Sequence, residues 1–139
     1  MTAFDQGAAF ALQAAIVAHL KADTGLKALI GDPPRVFDGP SREKAFPYVS
    51  YDDARETPLS AAPGHVEHDI RISIHSRYEG RRETKDIATA IVSALNDAPL
   101  TLAGRRLVSL RAVYSDVFHR IEDDSHRGLL RFRAVTEAA

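Results

Sequence analysis

The stretch HVEHDIRISIHS, residues 65–76, carries the clearest structural pattern in this sequence. Apolar and polar side chains alternate along it, with a histidine at one position on the otherwise apolar side. Because successive side chains of a β-strand point to opposite faces of a sheet, the alternation predicts a long strand that is covered on one face only. The covered side consists of Val66, His68, Ile70, Ile72 and Ile74.

Two helices are predicted outside this strand, one before it and one after it. Residues 4–21 are rich in alanine and carry leucine and isoleucine at four-residue intervals. Residues 79–96 show the same interval, which lines one face of an α-helix with apolar side chains. A shorter helical turn is predicted over residues 23–30, where glycine and proline at 31–34 end it.

Further strands are predicted on both sides of the second helix. Residues 47–51 follow a shorter extended segment at 36–38, and residues 106–120 and 127–136 flank an acidic turn. Strand pairs that each follow a helix favour the α+β class. We therefore expect one domain over residues 1–139, with a mostly antiparallel sheet of four to five strands and two main helices on one face, in the order helix-strand-strand-helix-strand-strand.

The segment over residues 52–64 shows no periodicity and contains two prolines, a glycine and several alanines. This composition predicts a long exposed loop. We expect the loop to be mobile in a free monomer and ordered against a neighbouring subunit or another protein, with Arg55 and Glu56 supplying the polar contacts.

Composition excludes several classes of function. The chain has no cysteine, which removes thiol catalysis, zinc knuckles and disulfides, and its formal net charge of −1 argues against a nucleic-acid-binding surface. The start of the chain lacks the pattern of a signal peptide, and no apolar run is long enough to span a membrane. The protein is expected to be made in the cytoplasm and to have no membrane partner.

Chemically active side chains form no recognised motif. There is no glycine-rich phosphate loop, no nucleophile elbow and no helical metal-binding pair, so we expect no catalytic residue, no metal site and no cofactor. His65 and His68 point to opposite faces if their segment is a strand. His119 and His126 flank the acidic turn near Asp123, and a small metal-dependent hydrolase that uses these three residues is the enzymatic alternative.

The first helix carries a second apolar stripe beside its core-facing one. Phe10, Ala14 and Val17 leave only a narrow polar face, so the helix is expected to be covered on most sides. One interpretation is a helix central to the core. The other is that the second stripe, extended by Phe4, contacts another subunit or a tube protein.

Several stretches, taken together, resemble a known family. They are FPYVSY at 46–51, HDIRISIHSR at 68–77, NDAPLTL at 96–102 with Gly104 and the RLV of 106–108, and RGLLRFRAVTE at 127–137. Their order and spacing resemble the tail-completion family of long-tailed phages and gene transfer agents, and the resemblance covers nearly the whole chain.

That resemblance implies a structural virion protein, a tail terminator. Such a protein forms a homo-oligomeric ring, usually a hexamer, on the last ring of the major tail-tube protein and offers a docking surface to the head connector or neck protein. DNA passes through the ring without specific binding. It implies assembly in the cytoplasm and then a place in the particle. Another neck protein, a head-tail connector or stopper, is the alternative.

A ring around DNA should not hold the genome through phosphate contacts, so neutrality or repulsion is expected at its channel. The densest acidic element is the turn that contains Glu122, Asp123 and Asp124. We expect these side chains to face the channel or its rim. An acidic turn on the outer surface is the alternative, since acidic residues are common in turns.

Overall fold

The computed structural model describes residues 6–39 and 45–139 of the chain. Its described part contains three helices and five strands, which confirms the α+β class. In chain order they are α1 (Gln6–Ala22), α2 (Thr24–Ile30), β1 (Val36–Asp38), β2 (Tyr48–Pro58), β3 (Val66–Ser76), α3 (Arg82–Leu95), β4 (Arg105–Arg120) and β5 (Ser125–Ala138).

The five strands form one sheet in the order β1-β2-β3-β5-β4. The alternating strand β3 lies at its centre, where Ile72 pairs with Tyr51 of β2 and Leu130 of β5. All neighbours are antiparallel except β1 and β2, which run parallel over three residue pairs. The sheet is therefore mixed and mostly antiparallel, as expected, with one short parallel pair at its edge.

The hydrophobic core lies between the helices and one face of the sheet. The four-residue intervals of α1 and α3 place their apolar side chains against the inner side of β3, as the sequence predicts. None of the described helices is long and apolar enough to cross a membrane. The fully buried core residues include Leu12, Ile16 and Leu20 of α1, Ile70, Ile72 and Ile74 of β3, and Ile87, Ile91 and Leu95 of α3.

Helix α2 is an independent element rather than an extension of α1. Its N-cap is Asp23, whose Oδ2 accepts a hydrogen bond of 3.0 Å from the backbone N–H of Leu26. A capping carboxylate satisfies one of the free N–H groups of a first turn. The described part of the chain therefore has two helices before its first strand, and the helical turn predicted over residues 23–30 is a separate short helix.

The prediction of a loop over residues 52–64 is wrong for its first half. Strand β2 continues to Pro58 and pairs with β3 up to Val66. A register shift between Tyr51 and Ala54 interrupts the alternation, because a bulge adds a residue to one strand only. Only residues 59–65 form a connection, and a hydrogen bond of 3.0 Å from Leu59 N–H to the carbonyl of His65 closes it.

Candidate functional site

The second apolar stripe of α1 is open to solvent at its centre. Phe10 is 75% exposed and Ala14 is also exposed, whereas Val17 is half-buried and packs against the core. A shallow groove runs between this part of α1 and residues 101–103. Phe4 lies outside the described residues. Among the expected contact residues of the first helix that the structure describes, Phe10 is thus the most exposed.

Arg55 and Glu56 have opposite environments. Arg55 is exposed on the outward face of β2, but Glu56 points inward, where its Oε2 lies 3.3 Å from Nδ1 of His68. Adjacent residues of a strand face opposite sides of the sheet, so the two cannot serve one surface. Glu56 already pairs with His68 inside the chain. Of the two residues expected to contact another protein, only Arg55 is exposed for such a contact.

A buried polar chain connects β4, β5, β3 and β2 on the helix-facing side of the sheet. Arg105 Nη2 donates to Oγ1 of Thr136 at 2.9 Å, and this hydroxyl lies 2.8 Å from Nε2 of His68. Because the carboxylate of Glu56 can only accept, His68 donates to it from Nδ1, and Nε2 of the neutral ring then accepts the proton of the Thr136 hydroxyl. Burial lowers the pKa of His68 despite the neighbouring carboxylate. The histidine is a neutral hydrogen-bonding core residue.

A second polar cluster lies on the opposite face of the sheet and contains serine, histidine and aspartate. Ser50 Oγ donates to Oδ1 of Asp52 at 2.7 Å and lies 2.9 Å from Nε2 of His75. Ser73 donates to the other carboxylate oxygen of Asp52. Because the Ser50 proton is given to Asp52, Nε2 of His75 must donate to Ser50 and cannot act as its base.

This cluster therefore lacks the arrangement of a catalytic triad, in which the carboxylate orients the histidine and the histidine accepts the serine proton. The ring of His75 stacks on Tyr48 with centroids 4.3 Å apart, and both residues are buried. Burial is the main cause that lowers the pKa of His75 to about 4, with the positive charge of Arg127 second. The hydrogen bonds of this cluster join side chains of β2 to side chains of β3.

The histidines beside the acidic turn do approach each other, as expected. The rings of His119 and His126 are 4.9 Å apart, and Nε2 of His119 lies 2.8 Å from Oδ1 of Asp124. Asp123 instead accepts a hydrogen bond of 2.6 Å from Ser125, which lowers its pKa. Over residues 6–39 and 45–139, no three side chains of the metal-binding types come together. The arrangement offers two ligands at most.

The rest of the outward sheet face carries cross-strand ion pairs. Arg131 Nη2 lies 2.7 Å from Oδ2 of Asp69, and Arg133 Nη2 lies 3.0 Å from Oε2 of Glu67. The hydrogen bond from Arg133 is the main cause that lowers the pKa of Glu67. Such solvent-screened pairs contribute little to stability, but each balances a cation on this face with a carboxylate.

The outermost strand, β4, is covered along only part of its outer edge. The connection from α3 covers the first part: Asp97 N–H donates to the carbonyl of Leu110 at 2.8 Å, and Ala112 N–H donates to Asn96 Oδ1 at 3.0 Å. Beyond Ala112 the inner edge of β4 still pairs with β5, but no described strand lies along its outer edge. Val113 and Tyr114 are 55% and 45% exposed there. An unpaired strand edge with apolar side chains can add another chain.

A groove of about 660 Å³ separates α3 from this open half of β4. Its apolar surface comes mainly from Ala88 and Val92 of α3 and Val117 of β4. Arg81 and Lys85 line the same groove, and no carboxylate of the described residues forms an ion pair with either. Asp116 lines the groove as well, so the groove combines an apolar floor with two cations and one carboxylate, a net positive charge.

The turn between β4 and β5, residues 121–124, projects beyond the same end of the sheet. Ile121 is 84% exposed, and the three acidic residues after it are exposed as well. We call this segment the acidic turn and the depression between α3 and β4 the α3–β4 groove. Sequence reasoning missed the groove, although residues 81, 85, 88 and 92 lie at the spacing of one helix face.

Comparisons with known proteins agree over nearly the whole chain. A model of the family described as tail completion protein gp17 matches residues 14–137. The tail completion protein gp17 of Bacillus phage SPP1 is 27% identical over 125 residues, which cover 88% of this chain and 90% of that protein. A chain in the structure of a native gene transfer agent virion is 34% identical and superposes with a TM-score of 0.86, covering 96% of this chain and 100% of that chain.

Proposed function

The chain belongs to the tail completion protein gp17 family, and we propose that it is a tail terminator. Its copies form a homo-oligomeric ring, sixfold in number, on the last ring of the tail-tube protein of a phage-like particle. The opposite side of this ring receives the head connector, and the genome passes through the middle.

The observation that carries this proposal is the match to a gene transfer agent virion chain. That match includes all of the other chain and 96% of this one, with a TM-score of 0.86. A shared fold over this length, with 34% identity, supports a shared structural role. A structural role in a tail follows most directly.

The surface of the chain supports ring formation. A ring closes by head-to-tail contacts, which join two different surfaces of the same protein. Phe10 on α1 and the open half of β4 expose apolar side chains on separate elements. A two-fold dimer needs one surface that is complementary to itself. A ring instead needs two different surfaces that fit each other, and the chain offers two separate apolar surfaces.

Charge supports the passage of DNA. The formal net charge is −1, and the outward sheet face balances Arg131 and Arg133 with Asp69 and Glu67. A protein that releases few counterions from DNA binds it weakly at physiological salt. A ring of such subunits can surround a duplex without holding it.

Deletion of the gene in the producing strain tests the role. We expect tails of variable length that are not joined to heads, and expression of the intact chain from a plasmid should restore normal particles. Negative-stain electron microscopy measures both properties.

The same images separate the terminator from the other neck proteins. Tails of normal length that merely lack heads would indicate a connector or stopper and would overturn the proposal. Cryo-electron microscopy of intact particles should show six copies of the chain at the head-proximal end of the tube.

A further inference from the structure

The acidic turn and the α3–β4 groove are complementary in charge and in polarity. The turn presents one aliphatic side chain, Ile121, followed by three carboxylates. The groove presents an apolar floor with Arg81, Lys85 and Asp116, so its net charge is positive. Helix α3 begins at Arg82, so its N-terminus adds positive potential at the same place.

The contacts inside one chain leave this complementarity unused. Asp124 is occupied by His119, and Asp123 by Ser125, but Glu122 reaches only Arg120, at 3.6 Å. Ile121 has almost no contact, since 84% of it is exposed. Three carboxylates against two arginines, Arg120 and Arg127, leave the turn with a net negative charge, and Arg81 and Lys85 against Asp116 leave the groove with a net positive one.

A chain cannot place its own turn in its own groove. Ser115, Asp116 and Val117 form the β4 wall of the groove, and the strand continues from there to Arg120 and into the turn. An extended strand rises about 3.3 Å per residue, so the turn is carried away from the groove along a straight path. The partner that can fill the groove must therefore be a separate molecule.

We propose that the acidic turn of one copy docks in the α3–β4 groove of the next copy. Ile121 lies on the apolar floor, and the carboxylates of Glu122 and Asp123 pair with Arg81 and Lys85. A second copy of the chain is the occupant because the same sequence supplies both complementary surfaces. The proposal rests on the ring proposed above and assigns one contact between its neighbouring subunits.

This contact competes with the expectation that the acidic turn faces the DNA channel. A channel lining explains the carboxylates but gives no role to an exposed isoleucine beside them. Docking uses both, because burial of the aliphatic side chain favours association while the charges fix its register. The same charge reversals distinguish the two arrangements.

The first test is reciprocal charge reversal, read as ring assembly and incorporation into tails. We expect Arg81→Glu with Lys85→Glu to lower assembly roughly tenfold or more, and Glu122→Lys with Asp123→Lys to do the same. The four changes together should restore assembly to near the wild-type level. Reversal of the Arg82–Asp86 pair, which lies on α3 without lining the groove, is the matched control and should have no effect.

Each variant is checked for folding by thermal unfolding of the purified chain. If Glu122→Lys with Asp123→Lys assembles normally and the rings acquire salt-sensitive DNA binding, the turn lines the channel and the docking proposal is overturned. Failure of the fourfold variant to recover, with each pair folded and defective alone, also overturns it.

The second test uses the absence of natural cysteine. Ile121→Cys in one chain and Thr89→Cys, in the groove wall, in another should form a mixed disulfide when the two assemble and are oxidised. A chain that carries both changes should give a ladder of products up to the closed ring. Ala14→Cys in place of Thr89→Cys is the control and should give no product with Ile121→Cys.

Products that stop at a dimer would indicate reciprocal exchange between two copies and would contradict head-to-tail docking.

The terminator role and the docking contact can be rejected independently of each other. Particles that need the chain for tail length but give no disulfide retain the terminator role and reject this contact. Normal tails without the gene reject the terminator role, whatever the disulfides show.

Discussion

At the scale of single residues, β3 buries two histidines in neutral form on opposite faces of the sheet. His68 is fully buried among core side chains, and His75 is covered by Tyr48. Each has a lowered pKa because burial disfavours the charged ring. A group whose folded-state pKa is lowered in this way stabilises the fold above its unfolded pKa, near 6.5, and less as the pH falls.

The pH dependence of His75 can be isolated by substitution. In the wild-type chain its stabilising effect is complete above about pH 6.5 and is lost as the pH falls toward about 4. His75→Gln keeps an N–H donor for Ser50 but cannot titrate. We expect the variant to be less stable than wild type at pH 7, since it loses the stacking on Tyr48, and the difference in Tm to narrow by several degrees near pH 4.

Thermal unfolding at several pH values measures this difference. Contributions of His68 and of the carboxylates are common to both proteins and cancel when the two curves are subtracted. A gap in Tm that stays constant from pH 7 to pH 4 would contradict a neutral, buried His75.

Two buried threonines give a second residue-scale prediction. Thr136 joins Arg105 to His68, whereas the hydroxyl of Thr84 has no hydrogen-bond partner within the described residues. Thr136→Val should lower the free energy of unfolding by about 1–3 kcal/mol, because it leaves two buried groups short of a partner. Thr84→Val should be neutral or slightly stabilising, because it removes an unsatisfied hydroxyl.

Chemical denaturation of the two variants checks the difference, since they replace the same side chain at fully buried sites. Equal losses would mean that the polar chain around Thr136 contributes nothing beyond packing.

At the scale of secondary-structure elements, segments with an unbroken periodicity were predicted correctly. Segments whose periodicity is interrupted were not. Strand β3 and helix α3 show one pattern throughout and were predicted within a few residues of their bounds. Strand β2 was predicted only to Tyr51, because the register shift before Ala54 changes which residues face inward. After it the inward side carries Glu56, whose burial depends on His68, a residue distant in sequence.

Amide hydrogen exchange tests the extent of β2. Residues 54–57 are paired with β3, so their slowly exchanging amides should be distinguishable from those of the connection at 59–65. A mobile loop over residues 52–64 would instead exchange throughout at rates near those of an unfolded chain. The comparison can be made on the free monomer by mass spectrometry.

The sequence predicts a contact surface where a local pattern marks it, and misses a surface that depends on how distant elements pack. The second stripe of α1 and the acidic turn are local patterns, and the structure leaves Phe10 and Ile121 exposed. The α3–β4 groove depends on where β4 lies relative to α3, which no local pattern specifies. Because β5 lies between β3 and β4, β4 is the edge strand of the sheet, and the groove forms between this edge strand and α3.

At the scale of the whole molecule, the chain combines a continuous core with small apolar surfaces on separate elements. The core spans α1, α3 and the sheet without a break, so surface changes should leave the monomer folded. Scattered exposed apolar residues are normal in soluble proteins. Phe10 is different because it stands with Ala14 above a groove that residues 101–103 complete. This surface is a candidate for the contact with a neighbouring copy or with the tail-tube protein.

Phe10→Asp tests that surface at the level of the assembly. The side chain is 75% exposed, so the change should alter the free energy of unfolding by about 0.5 kcal/mol or less. If Phe10 is buried in the particle, the same change places a charge in an apolar contact, and incorporation into tails should fall roughly tenfold or more. Ala28→Asp, at an exposed position of α2, controls for added charge and should leave incorporation unchanged. Immunoblotting of purified particles against total protein measures incorporation, while thermal unfolding of the free chain verifies that both variants fold. Equal incorporation of the two variants would show that α1 faces solvent in the particle, and the ring would then have to close through other surfaces, with the open half of β4 as the remaining apolar candidate.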